Sequence, residues 1–135
     1  MASYDRALAI KPDDDAAWNI RGIALANLGR YEEAIASYDR ALAIKPDVTA
    51  WYYRGIALAN LGRYEEAIAS FDRALAIKPD DDAAWYYRGI ALANLGRYEE
   101  AIASYARALA IKPDFDLAWN NRGVALANLG RYEEA

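Results

Sequence analysis

The feature that most constrains this chain is a segment that the sequence repeats. Trp18, Trp51, Trp85 and Trp119 recur at spacings of 33, 34 and 34 residues, and the residues around them are nearly the same each time. The clearest copy reads AWYYRGIALANLGRYEEAIASYARALAIKPD, from residue 84 to residue 114. A period in this range is typical of proteins that stack one structural unit on the next. The sequence therefore predicts a repeat architecture rather than one central core.

Each repeat is predicted to form two helices. In the first complete repeat, Trp18, Gly22 and Leu25 fall on one face of a helix expected over residues 15–28. Aspartates at 13–15 suit its amino-terminal cap, and Gly29 suits its end. A second helix is expected over residues 30–45, before a proline. Since the joint is only a few residues long, the two helices must be antiparallel. We expect their tryptophans and tyrosines to be core residues.

This pattern resembles the tetratricopeptide repeat family, whose motif is W-x2-L-G-x2-Y, then A-x3-F, then P. The matching residues of the first repeat are Trp18, Gly22, Ala34, Tyr38, Ala41 and Pro46. Leu25 stands where the family has Tyr, and Arg21 stands where it has Leu. We expect Arg21 and its equivalents to lie along the interface between repeats. The resemblance implies an all-α right-handed superhelix of helical hairpins, whose first helices line a concave groove that binds peptides or partner helices.

The repeats predict a single array over residues 1–135. Residues 1–14 would be the second half of a second helix; residues 15–47, 48–81 and 82–115 would be complete repeats; residues 116–135 would be a first helix and the start of a second. The loop before Trp51 is one residue shorter than the loop before Trp85, which predicts a tighter turn there. The near-identity of the copies indicates recent duplication or design around a consensus, and both explanations stay open.

The composition narrows the range of functions. The chain has no cysteine and no histidine, so it lacks thiolates, the usual zinc and copper ligands and the commonest general base near neutral pH. Its net charge of −4 argues against nucleic acid, which calls for a clustered basic face. Adjacent glutamates such as Glu32 and Glu33 suit helix starts better than acid–base catalysis, since neighbours on a helix do not face each other. We expect no enzymatic activity, no cofactor and no metal site.

The chain shows no membrane or export signal. No apolar run approaches the length of a membrane span, and the first residues, MASYDRALAIKP, lack the basic start and apolar core of a signal peptide. A cytoplasmic location is therefore the default expectation, with a protein or peptide as partner rather than a membrane.

The resemblance assigns the groove to first-helix side chains outside the packing face. In the order of the repeats, these are Asn19, Ile23 and Asn27; Tyr52, Tyr53, Ile56 and Asn60; Tyr86, Tyr87, Ile90 and Asn94; and Asn120, Asn121 and Asn128. We expect the tyrosines to be at least partly exposed. The asparagines before each helix-ending glycine have two interpretations, because an amide can bind a peptide backbone or bond to local backbone groups. No first helix carries a lysine, which argues against capture of a C-terminal carboxylate.

A second hypothesis concerns the two termini. The first residues match the later part of a second helix, and the last residues match its start. The second hypothesis is therefore a structural module that self-associates head to tail, a contact that propagates unless it closes. The predicted contact residues are Tyr132 and Ala135 of one chain with Met1 and Tyr4 of the next. Light scattering across a concentration series distinguishes this hypothesis from a monomeric scaffold.

Overall fold

The computed structural model describes residues 14–130, and this part of the chain is all helical. Its seven helices are α1 Asp15–Asn27, α2 Tyr31–Ile44, α3 Val48–Asn60, α4 Tyr64–Ile77, α5 Asp82–Asn94, α6 Tyr98–Ile111 and α7 Asp116–Asn128. The chain divides into two compact units, one ending at Ile77 and one beginning at Lys78. In the first unit, α1 packs on α2, α2 on α3, and α3 on α4; in the second, α6 packs on both α5 and α7. The predicted all-α fold of antiparallel hairpins is confirmed.

A glycine reverses the chain inside each hairpin. Gly29, at the end of α1, has a φ of 77°, a region in which a residue with a side chain is strained. The N–H of Arg30 then donates to the carbonyl of Leu25 at 2.9 Å, which closes the helix end. Helix α2 begins at the next residue, so the two helices run antiparallel. Both helices agree with the predicted spans to within one residue at each end.

The two helices of a hairpin meet through a glycine and an aromatic ring. A methyl group added at Gly22 would lie 2.8 Å from Cδ1 of Tyr38, so the ring rests directly on the α1 backbone. Tyr38 is buried, and Ala34 and Ala41 beside it are fully enclosed. Small residues thus let the helices approach, and one large ring fills the remaining space. The predicted core role of these residues is confirmed.

The tryptophans lie at the edge of the hairpins rather than in the core, contrary to the prediction. Trp18, Trp51 and Trp85 are each half-buried. Arg21 and Arg40 place their guanidinium carbons 5.8 and 4.8 Å from the Trp18 ring centre. The tryptophans of the next two hairpins each have two arginines as close. An indole ring attracts cations and carries a polar N–H, so it is well placed at a boundary with water.

The arginine that departs from the family motif joins the two helices of its own hairpin. Arg21 Nη1 donates to Ser37 Oγ at 2.6 Å, and this serine is fully buried. The equivalent pairs are Arg54 with Ser70 at 2.7 Å and Arg88 with Ser104 at 2.6 Å. The prediction placed these arginines along the interface between repeats. Only part of this is right: Arg54 also donates to Asp39 of the preceding hairpin at 2.8 Å.

The connection between hairpins varies by one residue. Asp14 and Asp81 precede α1 and α5, and each carboxylate accepts from an N–H three residues further on, at 3.2 and 3.3 Å. Asp47 precedes α3 and accepts from the N–H of Thr49, only two residues on, at 3.2 Å. The connection from α2 to α3 spans residues 45–47, against residues 78–81 before α5. The predicted tighter turn and the aspartate caps are confirmed.

Candidate functional site

The predicted groove residues differ widely in exposure. The exposed ones are Asn27, Asn60, Tyr87, Asn94, Asn120 and Asn128. The half-buried ones are Ile23, Tyr52, Tyr53, Ile56, Ile90 and Asn121. The buried ones are Asn19 and Tyr86. First helices therefore leave most of the predicted side chains exposed or half-buried.

The two buried positions hold neighbouring first helices together, which corrects their assignment to the groove surface. Asn19 is 6% exposed, and its Nδ2 donates at 3.0 Å to Asp47, the residue that caps α3. Tyr86 is 7% exposed, and its ring centre lies 4.8 Å from that of Phe115, the residue before α7. Both side chains follow a tryptophan and contact the start of the next first helix. A polar pair makes this contact in the first unit, and an aromatic pair makes it in the second.

Two of the asparagines at the helix ends bond to their own helix. Asn60 Nδ2 donates to the carbonyl of Ile56 at 3.0 Å, and Asn94 Nδ2 donates to that of Ile90 at 2.9 Å. This geometry favours the local interpretation of these amides. Because both side chains are exposed and an amide has a second N–H and an oxygen, the bond still leaves binding capacity. Their role in a groove stays a prediction.

In the second unit, predicted groove residues from α5 and α7 surround an open pocket. Its volume is about 240 Å³. The lining residues are Ile90, Ala93, Asn94, Tyr98, Tyr105, Asn121, Val124, Ala125 and Asn128. Among these described residues none carries a charge. The wall combines aliphatic groups, two aromatic rings and three amides, which is the usual composition of a site for a small apolar group with a few polar contacts.

Two residues of this pocket, Tyr98 and Tyr105, lie on α6, a second helix. The groove prediction did not include them, because it was confined to first helices. A signal was available, since residues seven apart share one face of a helix. Tyr105 was assigned to the core, and it does lie in the core with 2% of its surface exposed. The edge of its ring nevertheless reaches the pocket.

Burial suppresses ionisation of the core tyrosines. Loss of solvation raises the pKa of Tyr38 well above its usual value, and the neighbouring Tyr53 adds to the shift. The pKa of Tyr105 is raised in the same way, with Tyr86 as the neighbour. Burial also raises the pKa of Tyr86, helped by Tyr87, while the hydrogen bond from Asn121 acts in the opposite direction. These phenols are therefore structural groups at neutral pH, not acids or bases.

Replacing Tyr38 by phenylalanine is expected to stabilise the protein by about 1 kcal/mol, because it deletes a buried hydroxyl that has no hydrogen-bond partner among the described residues. Phe71 already occupies the equivalent position in α4. Because the pKa of Tyr38 is raised in the folded state, folding favours the protonated phenol. The stability linked to this proton is fully present below the unfolded pKa of about 10 and is lost as the pH rises through the folded pKa. The variant should therefore also lose less stability between neutral and strongly alkaline pH. Urea unfolding at both pH values measures this.

The control for this prediction is Tyr31→Phe on the same helix, where the ring is only half-buried. It should leave the stability at neutral pH close to that of the parent. Equal stabilities for the two variants would contradict the prediction.

The paired glutamates serve helix starts, as predicted. In α2, α4 and α6 the second glutamate of the pair accepts two hydrogen bonds from the arginine three residues earlier, as Glu33 does from Arg30. These bonds lower the pKa of Glu33, Glu66 and Glu100. All three carboxylates are exposed, so these pairs contribute little to stability.

Two further features were sought in residues 14–130. This part of the chain contains no cluster of three or more acidic, histidine or cysteine side chains able to hold a metal ion. None of its helices is both long and apolar enough to cross a membrane. The predicted end-to-end contact residues, Met1, Tyr4, Tyr132 and Ala135, lie outside the described range, so the head-to-tail hypothesis stays a prediction.

Helical hairpins joined by short turns, with a glycine and an aromatic ring between the two helices, define a helical-repeat protein. Models of the tetratricopeptide repeat match residues 16–48, 48–81 and 70–103, and a model described as TPR repeat matches residues 91–130. The chain belongs to the tetratricopeptide repeat family. No curated protein is significantly similar to it in sequence.

Solved structures with the same fold include proteins of different kinds. MamA is 25% identical, with a TM-score of 0.94 over 97% of this chain and 77% of that one. YrrB, described as a TPR protein with an unusual peptide-binding site, is 27% identical, with a TM-score of 0.85 over 98% of this chain and 69% of that one. The first TPR of Spaghetti (RPAP3), bound to the HSP90 peptide SRMEEVD, is 25% identical, with a TM-score of 0.84 over 86% of this chain and 93% of that one.

Proposed function

We propose that the chain is a non-catalytic scaffold that binds an extended peptide segment of a partner protein along its first helices. The observation that carries this proposal is the pocket between α5 and α7. Four residues that the sequence assigned to a groove, Ile90, Asn94, Asn121 and Asn128, line this one pocket. They come from two helices of successive repeats, so a ligand in the pocket contacts both.

The chemistry of the pocket favours a peptide. Asparagine amides offer donors and an acceptor that match the N–H and carbonyl groups of an extended backbone. The aliphatic and aromatic walls suit one apolar side chain. Because packed helices hold these groups in place, binding costs little ordering of the protein. YrrB and the Spaghetti (RPAP3) repeat, both similar in fold, are described as peptide-binding or peptide-bound.

The ligand that we propose is uncharged at this site. The HSP90 peptide SRMEEVD, bound by the Spaghetti repeat, is acidic and ends in aspartate. Here the described residues that line the pocket carry no charge, and the first helices contain no lysine. An ionised carboxylate would lose its hydration in such a site without gaining a cation. A neutral extended segment fits the site better than an acidic tail.

A peptide display library selected against the parent chain tests the proposal. The double variant Asn94→Ala and Asn128→Ala should bind the selected neutral peptides about tenfold more weakly, because it removes amides worth about 0.5–1.5 kcal/mol each when hydrogen-bonded. Both side chains are exposed, so the fold should be unaffected. Isothermal titration calorimetry measures the affinities.

The matched control is Ala103→Ser, a change on the exposed face of α6 outside the pocket. It should bind every selected peptide as the parent does. If the double variant also keeps full affinity for every selected peptide, the pocket is not the binding site and the proposal is wrong.

A further inference from the structure

We infer that the pocket between α5 and α7 receives an aromatic side chain from the bound peptide, and that tyrosine fits it best. The inference rests on the proposed function and deepens it by naming the side-chain class that the site takes. It comes from comparing the two units, which place equivalent residues around equivalent positions, with Tyr53 of the first unit replaced by Asn121 in the second.

In the first unit, the chain fills the equivalent position with a ring of its own. Tyr53 is the second residue after Trp51, on α3. Its ring stacks on that of Tyr38, with centroids 6.4 Å apart and planes inclined by 26°. This separation is in the favourable range for offset stacking of two aromatic rings. The face of Tyr38 turned toward α3 is therefore covered.

In the second unit, the corresponding ring is missing. Tyr105 is the equivalent of Tyr38 and rests on Gly89 as Tyr38 rests on Gly22. The second residue after the tryptophan of α7 is Asn121, which is much smaller than tyrosine. Tyr105 and Asn121 both line the pocket. The pocket thus borders the edge of the Tyr105 ring and lies beside position 121, where the first unit has Tyr53.

The size and chemistry of the pocket agree with this assignment. A cavity of about 150 Å³ suffices to bind benzene, and this pocket has about 240 Å³. Tyr98 and Tyr105 supply aromatic surface, and Ile90 and Val124 supply aliphatic surface. Three amides on the same wall can donate to or accept from a phenol hydroxyl. This combination favours tyrosine over phenylalanine, which leaves those amides unused.

A second difference between the units holds the asparagine in place. Asn121 Nδ2 donates to the hydroxyl of Tyr86 at 3.1 Å. The residue equivalent to Tyr86 in the first unit is Asn19, whose amide bonds to Asp47 instead. The second unit therefore has both Asn121, which leaves room for the pocket, and Tyr86, the tyrosine that holds this asparagine in position. Asn121 is fixed as part of the wall and does not swing as a loose side chain across the opening.

The first experiment uses 4-methylphenol, the isolated tyrosine side chain, as the probe. Titrated into the full chain, it should produce saturable shifts of the side-chain amide signals of Asn94, Asn121 and Asn128 in ¹H–¹⁵N spectra. The non-planar 4-methylcyclohexanol has no π face for edge-to-face contact with the tyrosine rings of the pocket, and it should bind several-fold more weakly. Equal affinities for the two probes would overturn the aromatic assignment without any variant.

The second experiment fills the pocket with a larger side chain of the protein itself. Asn121→Tyr introduces the residue that the chain has at Tyr53, and it should weaken 4-methylphenol binding by about tenfold or more. Ala103→Tyr is the control, because it adds the same ring at an exposed position of α6 that does not line the pocket. It should leave probe binding unchanged. Unaltered binding by Asn121→Tyr, with an unfolding midpoint equal to the parent's, would show that the probe binds elsewhere.

The outcomes separate this inference from the proposed function. If selected peptides depend on Asn94 and Asn128 but tolerate leucine in place of tyrosine equally well, the inference is wrong and the proposed function stands. If no peptide binds, both are wrong. If replacing tyrosine by leucine in the peptide weakens binding to the parent chain but not to Asn121→Tyr, both the inference and the proposed function are supported.

Discussion

Replacing Gly89 by alanine is expected to lower the free energy of unfolding by about 2 kcal/mol, since so close a contact puts the cost at the upper end of the about 1–3 kcal/mol of core overpacking. The new methyl carbon would lie 2.8 Å from Cδ1 of Tyr105, closer than two such carbons can approach. Tyr105 is 2% exposed and only its edge borders the pocket, so moving the ring away from the new methyl group would break its core packing. The separation of α5 from α6 must then increase. This cost exceeds the gain of about 1 kcal/mol from alanine's better helix propensity.

The matched control is Gly123→Ala, at the equivalent position of α7. No described atom lies within 4 Å of a methyl group there. With respect to residues 14–130, the substitution changes only the helix propensity at this position, so the variant should be more stable than the parent by up to about 1 kcal/mol. Urea unfolding followed by far-UV circular dichroism measures both variants. Effects of the same sign at the two glycines would contradict the packing role of Gly89.

Replacing Arg88 by alanine is expected to cost about 2–4 kcal/mol, the sum of a lost hydrogen bond to a buried group and a lost cation–π contact. Arg88 Nη1 donates to Ser104 Oγ at 2.6 Å, and Ser104 is fully buried. Its guanidinium carbon also lies 5.6 Å from the ring centre of Trp85. Without the arginine, the serine hydroxyl loses this donor in a place where water does not reach. Urea unfolding again gives the free energy.

Two controls separate this specific contact from general effects of charge. Arg122→Ala removes the equivalent arginine of α7, for which no hydrogen bond or ion pair with residues 14–130 is found. The change should stay within about 0.5 kcal/mol. A double-mutant cycle of Arg88→Ala with Ser104→Ala should give a coupling energy of about 1.5–3 kcal/mol. Additive effects would rule out the arginine–serine bond as the cause.

Much of the fold was predictable because the signals for it are local. Asp14 and Asp81 mark helix starts, and Gly29 marks a helix end, through contacts that span only three to five residues. The close packing at Gly22 was also predictable, since a glycine and a large ring at fixed spacing recur in every hairpin. The shorter turn before α3 was also predictable, because the sequence before Trp51 has one residue fewer than the sequence before Trp85.

The candidate site was predictable only in part. The first helices do supply Ile90, Asn94, Asn121 and Asn128 to one pocket, as their shared helix face indicated. The sequence did not show that Asn19 and Tyr86 turn inward, because their partners, Asp47 and Phe115, lie at the start of the next first helix. It also misplaced the tryptophans, since the arginines that cover Trp18 come from both helices of the hairpin.

The sequence by itself determined the repeat period, the helix boundaries and the family, because caps, turns and hydrophobic spacing act between residues close in the chain. The tertiary structure decided which of the near-identical side chains are buried and which are open to a ligand. That depends on contacts between residues 16 to 35 positions apart, as in Arg21 with Ser37 and Tyr86 with Asn121. Asparagine at position 121, where the first unit has Tyr53, leaves a pocket there only because the edge of Tyr105 and the side chains of α5 lie around it.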